Sequence, residues 1–211
     1  MRTLFAITGV LAAAAVAEFN GFSPQELAFY AQPEAIAFVR PGISVTVLGA
    51  EIDSTRTIKA RLRVTDTRGL PLDREGITTP GPVAISFIAA VMNKGAKQWT
   101  TYTTRVQSST ITGQSATQSG SDTGGVWTKT GDGEYTYTFG TKAPATYDPT
   151  ATHAIGVYGN RNLTEFDLGT NYYSTVYRFV PAGGTPGPVR EITKNATCNA
   201  CHVEISAHGG S

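Results

Sequence analysis

The stretch Ile58-Lys-Ala-Arg-Leu-Arg-Val64, IKARLRV, decides the fold. Ile58, Ala60, Leu62 and Val64 alternate with Lys59, Arg61 and Arg63. A period of two places the apolar set on one face of a strand and the cations on the other. Upstream, Ile43, Val45 and Val47 alternate with Ser44 and Thr46 in the same way, the period changing to two from residue 36. Downstream, residues 66–73, DTRGLPLD, carry turn chemistry. The longer apolar run at 82–92, PVAISFIAAVM, predicts a central strand, with 98–106, QWTTYTTRV, as its hairpin partner. Residues 108–125 are polar and low in complexity, which predicts a flexible surface loop. Strands resume at 126–139, where Gly131-Asp132-Gly133 supplies turn residues and Tyr135, Tyr137 and Phe139 share one face. HAIGVYGNR, 153–161, and YYSTVYRFVP, 172–181, add two more strands. Seven or eight short strands between turns predict a mainly β fold, a β-sandwich or Greek-key barrel over residues 35–181.

The ends differ from this middle. Met1-Arg2 is a positive start, and Thr3 to Ala14 is apolar but too short to span a bilayer. Ala15 and Ala17 fit a small-x-small cleavage site before Glu18, so residues 1–17 read as a secretory signal peptide, with an uncleaved anchor as the alternative. Residues 18–34 form a lead-in. Within it, FSPQELAFYAQ predicts a short helix capped by Ser23 and Glu26 and ended by Pro33. Residues 182–192 read as a Pro/Gly linker, and 193–211 as the start of a helical or irregular haem-binding segment, cut short. The formal charge of +1 on 211 residues gives no basic excess, so composition offers no reason to propose a nucleic-acid partner.

The chemistry sits in TCNACHVEI, residues 197–205, which holds both cysteines of the chain. Two cysteines so close enclose almost no loop and make a poor structural staple. Cys-x-x-Cys-His is the attachment signature of c-type haem. Cys198 and Cys201, one helical turn apart, would form thioethers to the porphyrin vinyl groups, and His202 would be the proximal iron ligand. Export fits, because c-type haem is attached outside the cytoplasm. A thioredoxin-type dithiol needs a βαβ context that the pattern lacks. A zinc site needs four ligands, and the adjacent Cys201 and His202 would crowd a tetrahedron. A chance pair joined by a strained disulfide is the remaining alternative. His208 lies six residues beyond His202, a rise of about 9 Å on one helix. That is too close to close the same haem, and leaves His208 as a ligand for a neighbouring haem or an ordinary exposed residue. His153 reads as a surface residue.

Several stretches together resemble the outer-membrane decahaem cytochromes of the OmcA/MtrC type. They are FVRPGISVTV, DTRGLPLDREGITTPGPV, GDGEYTYTF, THAIGVYGNRNLTEF and, most specifically, ATCNACHVEISAHGG. The resemblance implies an N-terminal β-domain leading into a multihaem domain with bis-histidine ligation. It implies electron transfer to extracellular acceptors such as metal oxides, with other cytochromes or an outer-membrane porin-type complex as partners. The location implied is the outer membrane or cell surface, with the periplasm the other exported compartment. On this reading Cys198 and Cys201 attach haem c, His202 is proximal, and His208 is a distal ligand within the cluster. The chain departs from that family in carrying one haem motif, which suggests truncation, and in lacking a cysteine behind the signal for a lipid anchor.

An electron carrier is therefore expected rather than a catalyst. A cell-surface β-sandwich with a vestigial motif, and a haem enzyme with an open sixth position, are the alternatives. Asp53, Asp66 and Asp73 raise the thought of calcium, but no ligand loop of recognisable spacing supports it, and they read as solvated turn residues together with Asp122 and Asp132. Tyr135, Tyr137, Tyr173 and Tyr177 read as core or rim aromatics. Asn162-Leu-Thr and Asn195-Ala-Thr match a common glycosylation pattern.

Overall fold

The computed structural model describes residues 21–188; the signal stretch and the Cys-x-x-Cys-His motif lie outside them. Ten strands occur in the described residues, in two four-stranded antiparallel sheets and one small hairpin. The first sheet takes the order β1-β2-β8-β7, from Ser44–Ile52, Thr57–Thr65, Glu134–Lys142 and Val126–Gly131. The second takes the order β10-β9-β3-β4, from Thr170–Phe179, Thr152–Asn162, Val83–Met92 and Thr100–Thr101. The chain is mainly β, as the alternation predicts.

The alternation of IKARLRV becomes burial. Ile58, Ala60, Leu62 and Val64 are at most 1% exposed. They share one core with Val45, Tyr135, Tyr137 and Phe139 of the first sheet and Phe87, Ile155, Val157 and Phe179 of the second. The sheets therefore pack face to face, as in a β-sandwich. Phe87 stacks on Tyr137 with ring centroids 4.1 Å apart and meets Phe139 edge-on at 5.7 Å. Each fully buried side chain of this size stabilises the fold by roughly 1.5–3 kcal/mol.

Five expectations need correction. The helix predicted across 22–32 is a turn followed by a 3-10 turn at Leu27–Tyr30. The α-helix is α1, Pro33–Val39, so Pro33 opens a helix rather than ending one, and strand begins at Ser44 rather than at residue 36. Proline's fixed φ suits the first helical position, and helix 33–39 buries Ile36 and Val39 against Leu163 and Leu168. Half of the capping box does form, since the Ser23 amide donates to Glu26 Oε2 at 2.8 Å.

The stretch at 98–106 pairs with β3 through Thr100 and Thr101, and Tyr102 and Thr103 add bonds to Ala89 at 2.8 and 3.3 Å. It then leaves the sheet as β5, Thr104–Ser108, which pairs with β6, Ser115–Ser119. The polar segment read as a loop is thus largely a regular hairpin, exposed along its length. Its Thr and Ser residues have strand propensity without anything to bury, and the Ser108 and Ser115 hydroxyls bond across it at 2.7 Å.

Candidate functional site

Cys198, Cys201, His202 and His208 lie outside the described residues. The structure does show where the chain carrying them departs. After β10 the Ala182 amide donates to Pro149 O at 2.9 Å, and the Gly187 amide donates to Thr152 Oγ1 at 2.8 Å. The Pro/Gly stretch is therefore pinned to the start of β9 before it reaches Pro188.

Below that point lies His153, which is 1% exposed. The expectation of a surface histidine is wrong. His153 belongs to the inward set of β9 with Ile155 and Val157, among Tyr102, Tyr147 and Phe179. Its Nδ1–H donates to Ala151 O at 3.0 Å, and its Nε2 accepts from the Tyr102 hydroxyl at 2.8 Å. Burial pushes its pKa down, against smaller opposing effects of the Ala151 bond and Asp148. It is a neutral imidazole with both nitrogens engaged, which does not fit a haem ligand. Burial likewise pushes the Tyr102 phenol up to about 12.

Asp53, Asp66 and Asp73 staple their own turns. Asp66 is 1% and Asp73 7% exposed, against the solvated reading. Asp66 Oδ1 accepts the Arg68 and Leu70 amides, both at 2.9 Å, while Oδ2 faces Arg40 Nε at 3.6 Å. Asp73 accepts the Glu75, Ile77 and Thr78 amides. Burial alone would raise the pKa of Asp73, but these amides outweigh it and hold the carboxyl below its usual range. Asp53 is held down to about 2, first by the Thr55 hydroxyl and then by backbone amides. Asp122 accepts the Tyr137 hydroxyl and the Gly140 and Thr141 amides, each at 2.9 Å. Asp132 is exposed, as expected. Among the described residues no three His, Cys, Asp or Glu side chains converge in a metal-binding group.

One buried cation escaped the sequence reading. Arg161 is 0% exposed, and its guanidinium donates to Val39 O at 2.7 Å, Arg40 O at 2.6 Å, Gly42 O at 3.1 Å and Pro80 O at 2.5 Å. Val39 O is a C-terminal carbonyl of α1 that the helix itself cannot satisfy. Burial pulls the Arg161 pKa down to about 10. Its role is to fasten the lead-in helix to β9. A charged residue ending an apolar strand, as in AIGVYGNR, was the available signal.

Tyr135 and Tyr137 are buried, and Tyr173 and Tyr177 pack partly buried against the same core, as expected of core and rim aromatics.

The fold defines a class, a two-sheet antiparallel β-sandwich whose last strand hands the chain to whatever follows. Its structural neighbours are larger proteins. The outer membrane decaheme cytochrome OmcA matches with a TM-score of 0.51 and 16% identity, over 76% of this chain and 26% of that one. MtrC from Shewanella baltica OS185 matches with a TM-score of 0.53 and 21% identity, over 81% of this chain and 28% of that one. At these identities the likeness is one of fold, and the chain spans under a third of the neighbours it matches. No family model and no curated protein matches the sequence.

Proposed function

We propose that this chain is an exported c-type cytochrome, with a β-sandwich placed ahead of a haem-bearing stretch, and that it carries electrons. The observation that carries this reading is the succession of a sandwich like that of a decahaem cytochrome and the Cys198-Asn-Ala-Cys201-His202 motif. The donor chemistry fits haem: two thiols for covalent attachment and one imidazole for iron. Bound there, haem would supply a one-electron iron couple. The chain's own part is to hold it by Cys198 and Cys201, to set the axial field through His202, and to offer His208 to a haem nearby. A second axial ligand, as the bis-histidine pattern of the resembling cytochromes implies, would leave no site for substrate and so favour relay over catalysis. Outer-membrane or cell-surface placement, cytochrome or porin-type partners and extracellular acceptors such as metal oxides belong to the same proposal.

The test is to express the chain with c-type maturation in an exported form and follow its visible spectrum during reduction and reoxidation by a soluble ferric chelate. Reversible one-electron cycling, without carbon monoxide binding to the reduced form, is expected. Carbon monoxide binding would contradict a six-coordinate relay, and a colourless protein would overturn the cytochrome reading.

A further inference from the structure

The middle of the outer face of the second sheet carries an apolar patch, although Ser86, Asn160, Ser174 and Arg178 share that face. Odd-numbered residues of β9 face the core, as His153, Ile155 and Val157 show, so Thr152, Ala154, Gly156 and Tyr158 face outward. The register places Ala90 and Ala154 side by side, and sets Gly156 between Ile88 on β3 and Val176 on β10. Having no side chain, Gly156 leaves a trough between these branched neighbours. The trough is a depression of about 600 Å³ bordered by Ile88, Gly156, Tyr158, Ser174 and Val176. Val176 is 61% exposed.

The chain leaves the described structure on this same face. The Gly187 amide is held by Thr152 Oγ1, and Thr152 belongs to the outward set that leads into the trough. Gly156 lies four residues further along β9, roughly 13 Å away. Nine residues separate Pro188 from Cys198, and the ten steps reach up to about 33 Å when extended. The next segment therefore starts on this face, about 13 Å from Gly156, with ample chain to reach the trough and lie across it. It is also the segment with a large apolar group to cover, if the proposed function holds.

We propose that residues 189–211, with haem on Cys198 and Cys201, seat on the outer face of β3, β9 and β10, so that Ile88, Gly156 and Val176 wall one side of the porphyrin. This rests on the cytochrome reading and extends it, because it assigns the sandwich a part in setting the haem environment. A negative charge in the trough would then stabilise ferric iron and lower the midpoint potential.

The experiment uses the full haem-loaded chain, its covalent haem first verified by absorption. Val176→Glu is compared with Thr46→Glu, which places the same charge on exposed strand in the other sheet. Hydroxyl-radical footprinting then compares the haem-loaded chain with the haem-free Cys198→Ser/Cys201→Ser chain. The midpoint potential is expected to fall in Val176→Glu and to stay at its starting value in Thr46→Glu. Ile88, Tyr158 and Val176 are expected to be protected only when haem is attached. Equal potentials in the two variants, or equal footprints with and without haem, overturn the proposal while leaving the cytochrome reading intact. Protection lost on dilution would identify a second copy of the chain as the occupant, which also overturns it. A colourless protein overturns both.

Discussion

At the scale of single residues, buried polar groups decide how this domain is fastened, and they are the groups that pattern reading missed. Arg161 holds four carbonyl oxygens drawn from α1, the loop after it and the 80s loop. Arg161→Met keeps the bulk and strands those acceptors, so the domain should lose about 3–5 kcal/mol, read as a lower urea midpoint at unchanged slope. Arg161→Lys should fall between, because an ammonium lacks the planar fork. His153 gives a pH dependence of known sign. Its pKa is depressed in the folded state, so its stabilising contribution is complete above the unfolded value of about 6.5. That contribution is lost as pH falls below it, while the unfolded chain takes up a proton that the folded chain does not. Thermal midpoints measured from pH 7.5 to pH 5 should fall, and His153→Gln should flatten that part of the profile. An unchanged slope in the variant would assign the pH dependence to other groups. Period two was enough to place Ile58, Leu62 or Tyr137. It could not place His153 or Arg161, since burial of such groups depends on partners far away in sequence, such as Tyr102 and Val39.

At the scale of elements, strands with one apolar face were legible, and those whose pairing carries no apolar signal were not. β2 and β8 follow their alternation closely. The β5–β6 hairpin did not stand out because one face is mostly Ser and Thr, the other is Arg105, Gln107, Ala116 and Gln118, and neither face buries anything. Helix α1 was hidden by its length of seven residues and by Pro33, which can end one helix or begin another. The hairpin's isolation has a consequence. Thr103 O accepts the Gly120 amide at 3.1 Å, so the ends of the excursion already meet. Replacing Thr104–Ser119 by a two-residue turn should change stability by less than about 1 kcal/mol, since the segment buries nothing and a shorter closure costs less entropy. A loss of several kcal/mol in chemical denaturation would mean that the hairpin packs on the sandwich. The apolar run PVAISFIAAVM of β3 stood out in the sequence as a central strand. Such runs belong to strands covered on both sides.

At the scale of the whole molecule, the sandwich is a self-contained body with one core spanning both sheets, and its final strand delivers the chain to the outer face of the second sheet. The fold class was readable because seven or eight strand patterns with turn chemistry between them leave few other architectures. The candidate site was readable only as chemistry. The spacing of Cys198, Cys201 and His202 matches a cofactor attachment signature, whereas the surface proposed to receive that cofactor emerges from cross-strand register, which no local pattern contains. Covalent haem attachment is the claim on which the rest depends. The most direct measurement is the alkaline pyridine spectrum of the exported chain, with haem staining after denaturing electrophoresis, set beside the Cys198→Ser/Cys201→Ser variant. The account predicts a c-type spectrum and a stain that survives denaturation in the parent chain and vanishes in the variant. A parent chain that runs without haem, with both cysteines recovered as free thiols or as a disulfide, would contradict it.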